Sequence, residues 1–381
     1  MRQYAWRIGA IATLLLACTA TTAAGRVETP EASARAEATL VARETARLSS
    51  FTSWLAAGHA HGFIGEVGWP GNPRAGGDTR WNAVALAWYR QAVRRKLSVA
   101  AWATGELWAP DYKLAVYRAQ GAPNPQAAVV ERQPALERGI NVDGGAFGEY
   151  GDGYDPIAAQ SPLDNVRVGT YGSTYAYPTA ATFTSLAARG VRFVRLPFRW
   201  ERLQRTLGGP LDAVELTRLH ASVDAAGKAG LHVVLDCHNY GGYYAHAGAA
   251  GIRRALGTDR LPDAAFADLW RRLAAAFRDD DAVTGYGLMN EPAAMSGPSA
   301  WERASRAAVA AIRNAGDSHR IIVSAYGWDS VTTFHLNHPH GPWIRDPLQA
   351  TWYEAHQYFD HDMSAHYRLS FSAEAATAHT P

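Results

Sequence analysis

Eight short apolar segments recur along this chain, most of them followed by a stretch with helical periodicity. They are Gly62–Trp69, Leu97–Thr104, Ile140–Gly144, Val191–Phe198, Leu231–Asn239, Val283–Glu291, Arg320–Tyr326 and Trp352–Tyr358. Most are nearly continuous apolar runs, the mark of strands covered on both faces, as in parallel sheets. Helical patterns lie between most of them, for example at Arg80–Arg95, Thr179–Arg189, Leu216–Ala229, Ala264–Arg278 and Ala300–Ala315. A further helix is expected over residues 35–58, where Val41, Leu48, Phe51 and Leu55 share one face, flanked by Leu40 and Trp54. Eight strands alternating with helices predict an α/β chain closed into a (β/α)8 TIM barrel.

One stretch breaks the rhythm. Residues 119–138 open Ala-Gln-Gly-Ala-Pro-Asn-Pro-Gln-Ala-Ala, carry Pro134 and lack apolar periodicity, so by composition they read as a linker. A cut there leaves two strands in residues 31–118 and six in residues 139–381, and neither set closes a barrel alone. A single barrel drawing strands from both sides of the linker is therefore expected. Residues 1–30 read as a signal peptide and flexible tether. Arg2 and Arg7 form its positive end, Ile8–Ala17 its apolar stretch, and Ala20–Ala24 offer small residues for cleavage. That stretch is too short to span a bilayer, so a secreted, extracellular protein is expected. Leu15-Leu16-Ala17-Cys18 resembles a bacterial lipobox, which keeps a membrane-anchored lipoprotein, lipidated at Cys18, as the other outcome.

Composition narrows the function classes. The 37 basic and 35 acidic side chains give a formal charge of +2, with nothing to suggest a nucleic-acid surface. Cys18 and Cys237 are the only cysteines, which excludes a disulfide scaffold and a four-thiolate zinc site. Thirteen Trp and seventeen Tyr supply aromatic faces that either stack on sugar rings or fill the core.

In this fold, chemistry sits at the C-terminal ends of the strands. Those ends carry Glu66, Trp102, Arg195, His238-Asn239, Asn290-Glu291-Pro292, and His356 with Tyr358. A buried carboxylate is costly unless paired or hydrogen-bonded, so Glu66 and Glu291, with Arg195 and His238 nearby, read as an active centre. Two carboxyl groups facing each other across such a mouth can hydrolyse a glycoside. One is protonated to donate to the leaving oxygen, and the other is ionised to attack the anomeric carbon.

The segment Tyr286-Gly-Leu-Met-Asn-Glu-Pro292 resembles the Asn-Glu-Pro signature of glycoside hydrolase family 5, the cellulase family, and Gly65-Glu66-Val67-Gly68 resembles its nucleophile strand. The eight positions that family uses all find matches: Arg195, His238, Asn290, Glu291, His356, Tyr358, Glu66 and Trp102. The resemblance extends over nearly the whole mature chain apart from the linker. Its order departs from the family's: strands resembling the seventh and eighth come first, those resembling the first to sixth follow the linker, and residues 35–58 resemble the helix missing after the sixth. The resemblance thus implies a circular permutant.

Together, chemistry and resemblance imply that Glu291 is the acid/base, its pKa raised, and Glu66 the nucleophile, kept ionised by Arg195 and a hydrogen bond from Tyr358. They imply that Asn290 meets the sugar 2-hydroxyl, that His238 and His356 orient hydroxyls and the acid/base, and that Trp102 floors the subsite beside the scissile bond. Trp69, Trp108, Trp200, Trp328 and Tyr240 follow strand ends and are candidates for further subsites. His335, His338 and His340 are expected in a solvated turn rather than at a metal, and Cys237 is expected in the core. No cofactor, metal or protein partner is implied. The resulting expectation is a retaining endo-β-1,4-glucanase acting on cellulose or mixed-linkage glucan. The alternatives are a hydrolase of mannan, β-1,3-glucan or xyloglucan, and a non-hydrolytic glycan-binding protein.

Overall fold

In the computed structural model, which describes residues 28–118, 121–133, 138–147, 168–247 and 250–378, the eight apolar segments form the expected barrel. The strands are β1 (His61–Gly68), β2 (Ser98–Thr104), β3 (Arg138–Val142), β4 (Phe193–Phe198), β5 (His232–Cys237), β6 (Gly242–Ala247), β7 (Ala250–Ala255), β8 (Val283–Gly287), β9 (Arg320–Ser324) and β10 (Thr351–Tyr358). Around the closed barrel the order is β1-β10-β9-β8-β5-β4-β3-β2, and its neighbouring strands are parallel. Closure falls between β1 and β10, so segments from both sides of residues 119–138 share one sheet. Strands β6 and β7 stand apart as an antiparallel hairpin after β5. The expected leader and Cys18 lie outside the described residues. Among the described residues, no helix is long and apolar enough to cross a membrane.

The helices are α1 (Pro30–Ala57), α2 (Trp81–Arg94), α3 (Ala127–Glu131), α4 (Ala180–Ala188), α5 (Trp200–Leu203), α6 (Ala213–Lys228), α7 (Asp263–Phe277), α8 (Pro298–Asn314), α9 (Phe334–Asn337) and α10 (Phe371–Thr377). Helix α1 starts where Thr29 Oγ1 accepts from the Ala32 amide and Pro30 occupies the first turn, where its missing N–H costs nothing. It buries Leu40, Leu48, Phe51 and Leu55, and also Glu44. Glu44 is tolerated there because Arg43, Arg47 and Gln357 of β10 bond its carboxylate. Arg43 continues to the carbonyls of Phe359 and Glu374, which ties α1 to the end of β10 and to α10. The layer between strands and helices is filled by large aromatics, among them Trp69, Trp81, Trp88, Trp200, Trp270 and Trp301, all fully buried.

Two expectations change. The described part of the stretch read as a linker, residues 121–133 and 138, is packed structure. Val129 and Val130 of α3 are buried, and Gln126 Nε2 donates to the Lys113 and Trp69 carbonyls. Five residues of helix are too few to show a period, while the Pro and Gly before them imitate a spacer. His338, expected in a solvated turn, is buried. It stacks on Trp343 at 4.0 Å, faces Glu302 through Nδ1 and accepts from the Tyr326 amide.

Inside the barrel the side chains form layers, as period-two strands require. Phe63, Ala100, Phe193, Val234 and Ile322 close the bottom, with Trp352 against them. Two residues further along their strands come Arg195, Asp236, Ser324 and Glu354, all buried. The apolar floor shields this charged layer from below, and the side chains of the strand ends stand on top of it.

Candidate active site

Arg195 is the hub of the charged layer. Its Nη1 donates to Glu66 Oε1 at 3.2 Å and to Asn141 Oδ1 at 2.9 Å. Its Nη2 donates to Asp236 Oδ1 at 2.9 Å and Asn290 Oδ1 at 2.7 Å, and Nε lies 3.0 Å from Glu354 Oε1. A buried guanidinium survives only when its donors are answered in this way. The surrounding carboxylates outweigh burial and hold Arg195 protonated far beyond its ordinary range. Asn141 braces the same point from below, donating to the Gly65 and Ala101 carbonyls.

Glu66 leaves β1 at a register shift between Ile64 and Glu66, where the ladder to β10 slips by one residue. Gly65 is required there, since a Cβ would stand 1.6 Å from Glu354 Oε1. One carboxylate oxygen of Glu66 meets Arg195, and the other accepts from Tyr358 Oη at 2.5 Å. Across the mouth, Glu291 follows the end of β8 in a left-handed backbone conformation, with φ of 44°. Its amide donates to Asp329 Oδ2 at 2.9 Å. His356 stands between the two carboxylates, with Nδ1 2.9 Å from Glu291 Oε1 and 3.6 Å from Glu66 Oε2. Its Nε2 lies 3.2 Å from Glu354 Oε1 and 3.7 Å from Asp329 Oδ2. Oxygen atoms of Glu66 and Glu291 and an imidazole nitrogen of His356 all fall within 4.8 Å of one another.

Electrostatics separate these groups. Burial pushes Glu66 above the usual carboxylate range, with Glu291 adding to it, against the pull of His356 and Arg195. Both contacts expected to keep Glu66 ionised are therefore present, but desolvation outweighs them. Burial alone would strip His356 of its proton; Glu66, Asp329, Glu291 and Glu354 reverse that and hold it well above its usual range. A metal ion at the Glu66–Glu291–His356 trio would have to displace the proton that these carboxylates hold on His356. Beside it, Asp236 Oδ2 faces His238 Nδ1 at 2.7 Å. Burial is overcome on both sides: Arg195 and His238 pull the carboxyl of Asp236 down, and Asp236 pushes His238 up.

All eight expected residues come together at the mouth. Trp102 ends β2 with its ring 6.1 Å from that of His238, nearly parallel, and donates from Nε1 to Tyr112 Oη at 2.8 Å. Asn290 gives its oxygen to Arg195, while its Nδ2 is buried without a protein partner. Of the further aromatic candidates, Trp69 and Trp200 are fully buried in the core and are corrected on that ground. Trp108 lies on the Trp102 side, stacked on Tyr112 at 4.0 Å. Tyr240, against His238, and the 40 % exposed Trp328, beside Asp329, lie 6.0 Å apart. Sequence reasoning missed Glu354, Asp236, Asn141 and Asp329. The first two sit two residues before His356 and His238, so strand alternation carried a signal for them. Asp329 lies in a loop with no period to read.

The family model described as Cellulase (glycosyl hydrolase family 5) matches residues 156–380, more than half of the chain. Among similar proteins, the manganese dependent endoglucanase Eg5A of Phanerodontia chrysosporium is 30% identical over 208 residues, covering 51% of this chain and 50% of that protein. Endoglucanase gh5-1 of Neurospora crassa is 29% identical over 243 residues, 62% of this chain and 54% of its own length. The chain thus spans about half the length of these relatives. Among solved structures, the Pseudomonas stutzeri endoglucanase Cel5A superposes with a TM-score of 0.50 at 32% identity, over 63% of this chain and 70% of that one.

Proposed function

The chain belongs to glycoside hydrolase family 5, and from that premise we propose that it is a retaining, endo-acting β-glucanase cutting β-1,4 bonds in cellulose or mixed-linkage glucan. The observation that carries the reading is the approach of Glu66 to Glu291, oxygen to oxygen within 4.8 Å. Retaining enzymes hold their carboxyl groups about 5–5.5 Å apart, whereas inverting ones leave about 6.5–9.5 Å for a water. In the proposed first step, a carboxylate oxygen of Glu66 attacks the anomeric carbon as the glycosidic bond breaks, and Glu291 gives its proton to the departing oxygen. In the second, Glu291 takes a proton from water, whose oxygen attacks the same carbon and releases Glu66. Negative charge moves from Glu66 to Glu291 in the first step. His356 lies within reach of both and can lean its N–H toward whichever carries the charge. The unpartnered Nδ2 of Asn290 suits the sugar 2-hydroxyl, and Trp102 suits the face of the sugar ring.

The test is reducing-sugar release from carboxymethyl cellulose, mixed-linkage glucan, mannan and laminarin, with Glu66→Gln beside the wild type. Rapid release from the first two with retained anomeric configuration, abolished in the variant, is the expected result. Release confined to mannan or laminarin moves the substrate and keeps the mechanism. Silence on all four, with glucan binding intact, makes a binding protein the better reading.

The chain is further proposed to be a circular permutant of its family. The support is that the family match begins at residue 156, after β1, β2 and β3, although β1 brings Glu66 to the mouth and closes against β10, which lies inside the match. Export by the leader is also proposed. Mass spectrometry of protein from the culture medium and membrane fractions distinguishes cleavage near Ala24 from a lipidated Cys18.

A further inference from the structure

Glu291 projects from a backbone that does not rest easily. Both Glu291 and Ala294 have positive φ, 44° and 49°, a region that side-chain-bearing residues keep only when their surroundings insist. On one flank the insistence comes from the loop after β9. There Asp329 takes the Glu291 amide, and the Gly327 amide donates to the Pro292 carbonyl at 2.8 Å. On the other flank it comes from the hairpin. Arg253 of β7 sends Nη2 to the Tyr240 carbonyl at 2.7 Å and the Ala293 carbonyl at 3.0 Å, and Nη1 to the Ala294 carbonyl at 3.0 Å. The guanidinium therefore bridges the loop after β5, itself joined to the acid/base loop by the Tyr240 amide to Asn290 carbonyl bond, and the segment that follows Glu291. The approach is cleared by Gly242, where a Cβ would meet Arg253 Nε at 2.8 Å.

We infer that Arg253 is a positioning residue for the proton donor: it fixes the backbone from which Glu291 reaches the leaving oxygen, without touching substrate. A planar fork suits three carbonyls converging from two loops, and an ammonium can answer only part of that set. The inference rests on the acid/base role proposed for Glu291.

A substrate whose leaving group needs no proton separates this role from general support of the fold. kcat/KM, which reports events up to glycosidic cleavage, is compared for wild type, Arg253→Met and Arg253→Lys. The substrates are mixed-linkage glucan, whose departing alkoxide must be protonated, and 2,4-dinitrophenyl β-cellobioside, whose phenolate need not be. Misplacing a catalytic group by about an ångström costs on the order of 100-fold. Arg253→Met is therefore expected to lose about 10- to 100-fold on glucan while staying within about threefold on the aryl substrate, with Arg253→Lys between. Equal loss on both substrates, or loss on neither, overturns the inference, and a thermal melt of each variant shows whether equal loss is unfolding. A wild type inactive on both substrates instead sinks the hydrolase reading, and this inference with it.

Discussion

Gly65 has Glu354 directly against it, and that contact sets how the two key strands meet. Adding a methyl group there displaces a carboxylate that answers both Arg195 Nε and His356 Nε2. Gly65→Ala is accordingly expected to destabilise the protein by about 3 kcal/mol, as breaking a buried ion pair does, and a denaturant midpoint measures it. Glu354→Gln is milder and tests the electrostatics. His356 has its folded pKa raised, so the stability it contributes is present at low pH and lost as pH rises through that folded value. Removing one of the carboxylates that raise it moves the alkaline limb of a melting-temperature profile to lower pH; an unmoved limb would show that Glu354 has no hold on the imidazole. Seven of the eight expected residues were legible because each sits near or just past a strand end, where polar side chains interrupt greasy runs, and Arg195 because it is a charge in the middle of the apolar β4. Glu354 and Asp236 share the layer of Arg195, two residues before His356 and His238, and answer Arg195 from inside the barrel. A lone sequence does not distinguish that place from an ordinary strand acid unless alternation is followed inward.

Between elements, charged clamps hold the helices to the barrel. Arg313 near the end of α8 forms a forked pair with Asp346, Nε to Oδ1 at 2.9 Å and Nη2 to Oδ2 at 2.8 Å. Asp346 also accepts from the Leu348 and Ala350 amides and from Thr351 Oγ1 at the start of β10. Burial opposes ionisation, but these donors, Arg313 foremost, pull the carboxyl down to about 2. A depressed carboxyl contributes stability above its unfolded pKa, and loses it as pH falls from about 4 toward 2. Asp346→Asn is expected to cost about 1–2 kcal/mol at neutral pH, solvent screening trimming the larger figure the shift implies, and nothing near pH 2. Chemical denaturation at both pH values checks it. Long elements such as α1 and α8 were readable from periodicity. The α3 segment was not, because its anchors, Gln126 and Asn124, bond backbone carbonyls and leave no hydrophobic trace.

For the molecule as a whole, barrel closure was deduced from counting: two strands before the Pro-rich stretch, six after it, neither set sufficient. The structure closes the sheet that way, with β1 between β2 and β10. If the chain is a permutant, its order is incidental to its chemistry. A rearranged chain running 119–378, then a flexible joint, then 30–118 keeps α3 and the start of β3 and should fold to the same barrel with wild-type activity within a few-fold, and a misfolded product would count against the permutation. Residues 30–118 and 119–378 expressed apart should each lack a sharp melting transition and gain activity only on mixing. Glu66 and its tyrosine partner meet late for a plain reason. Tyr358 bonds Glu66 across 292 residues of chain, so a growing segment carries Glu66 long before it carries the hydroxyl that bonds it. On the hydrolase reading an incomplete chain is thus chemically silent, and turnover becomes a gauge of one event, the moment β1 finds β10.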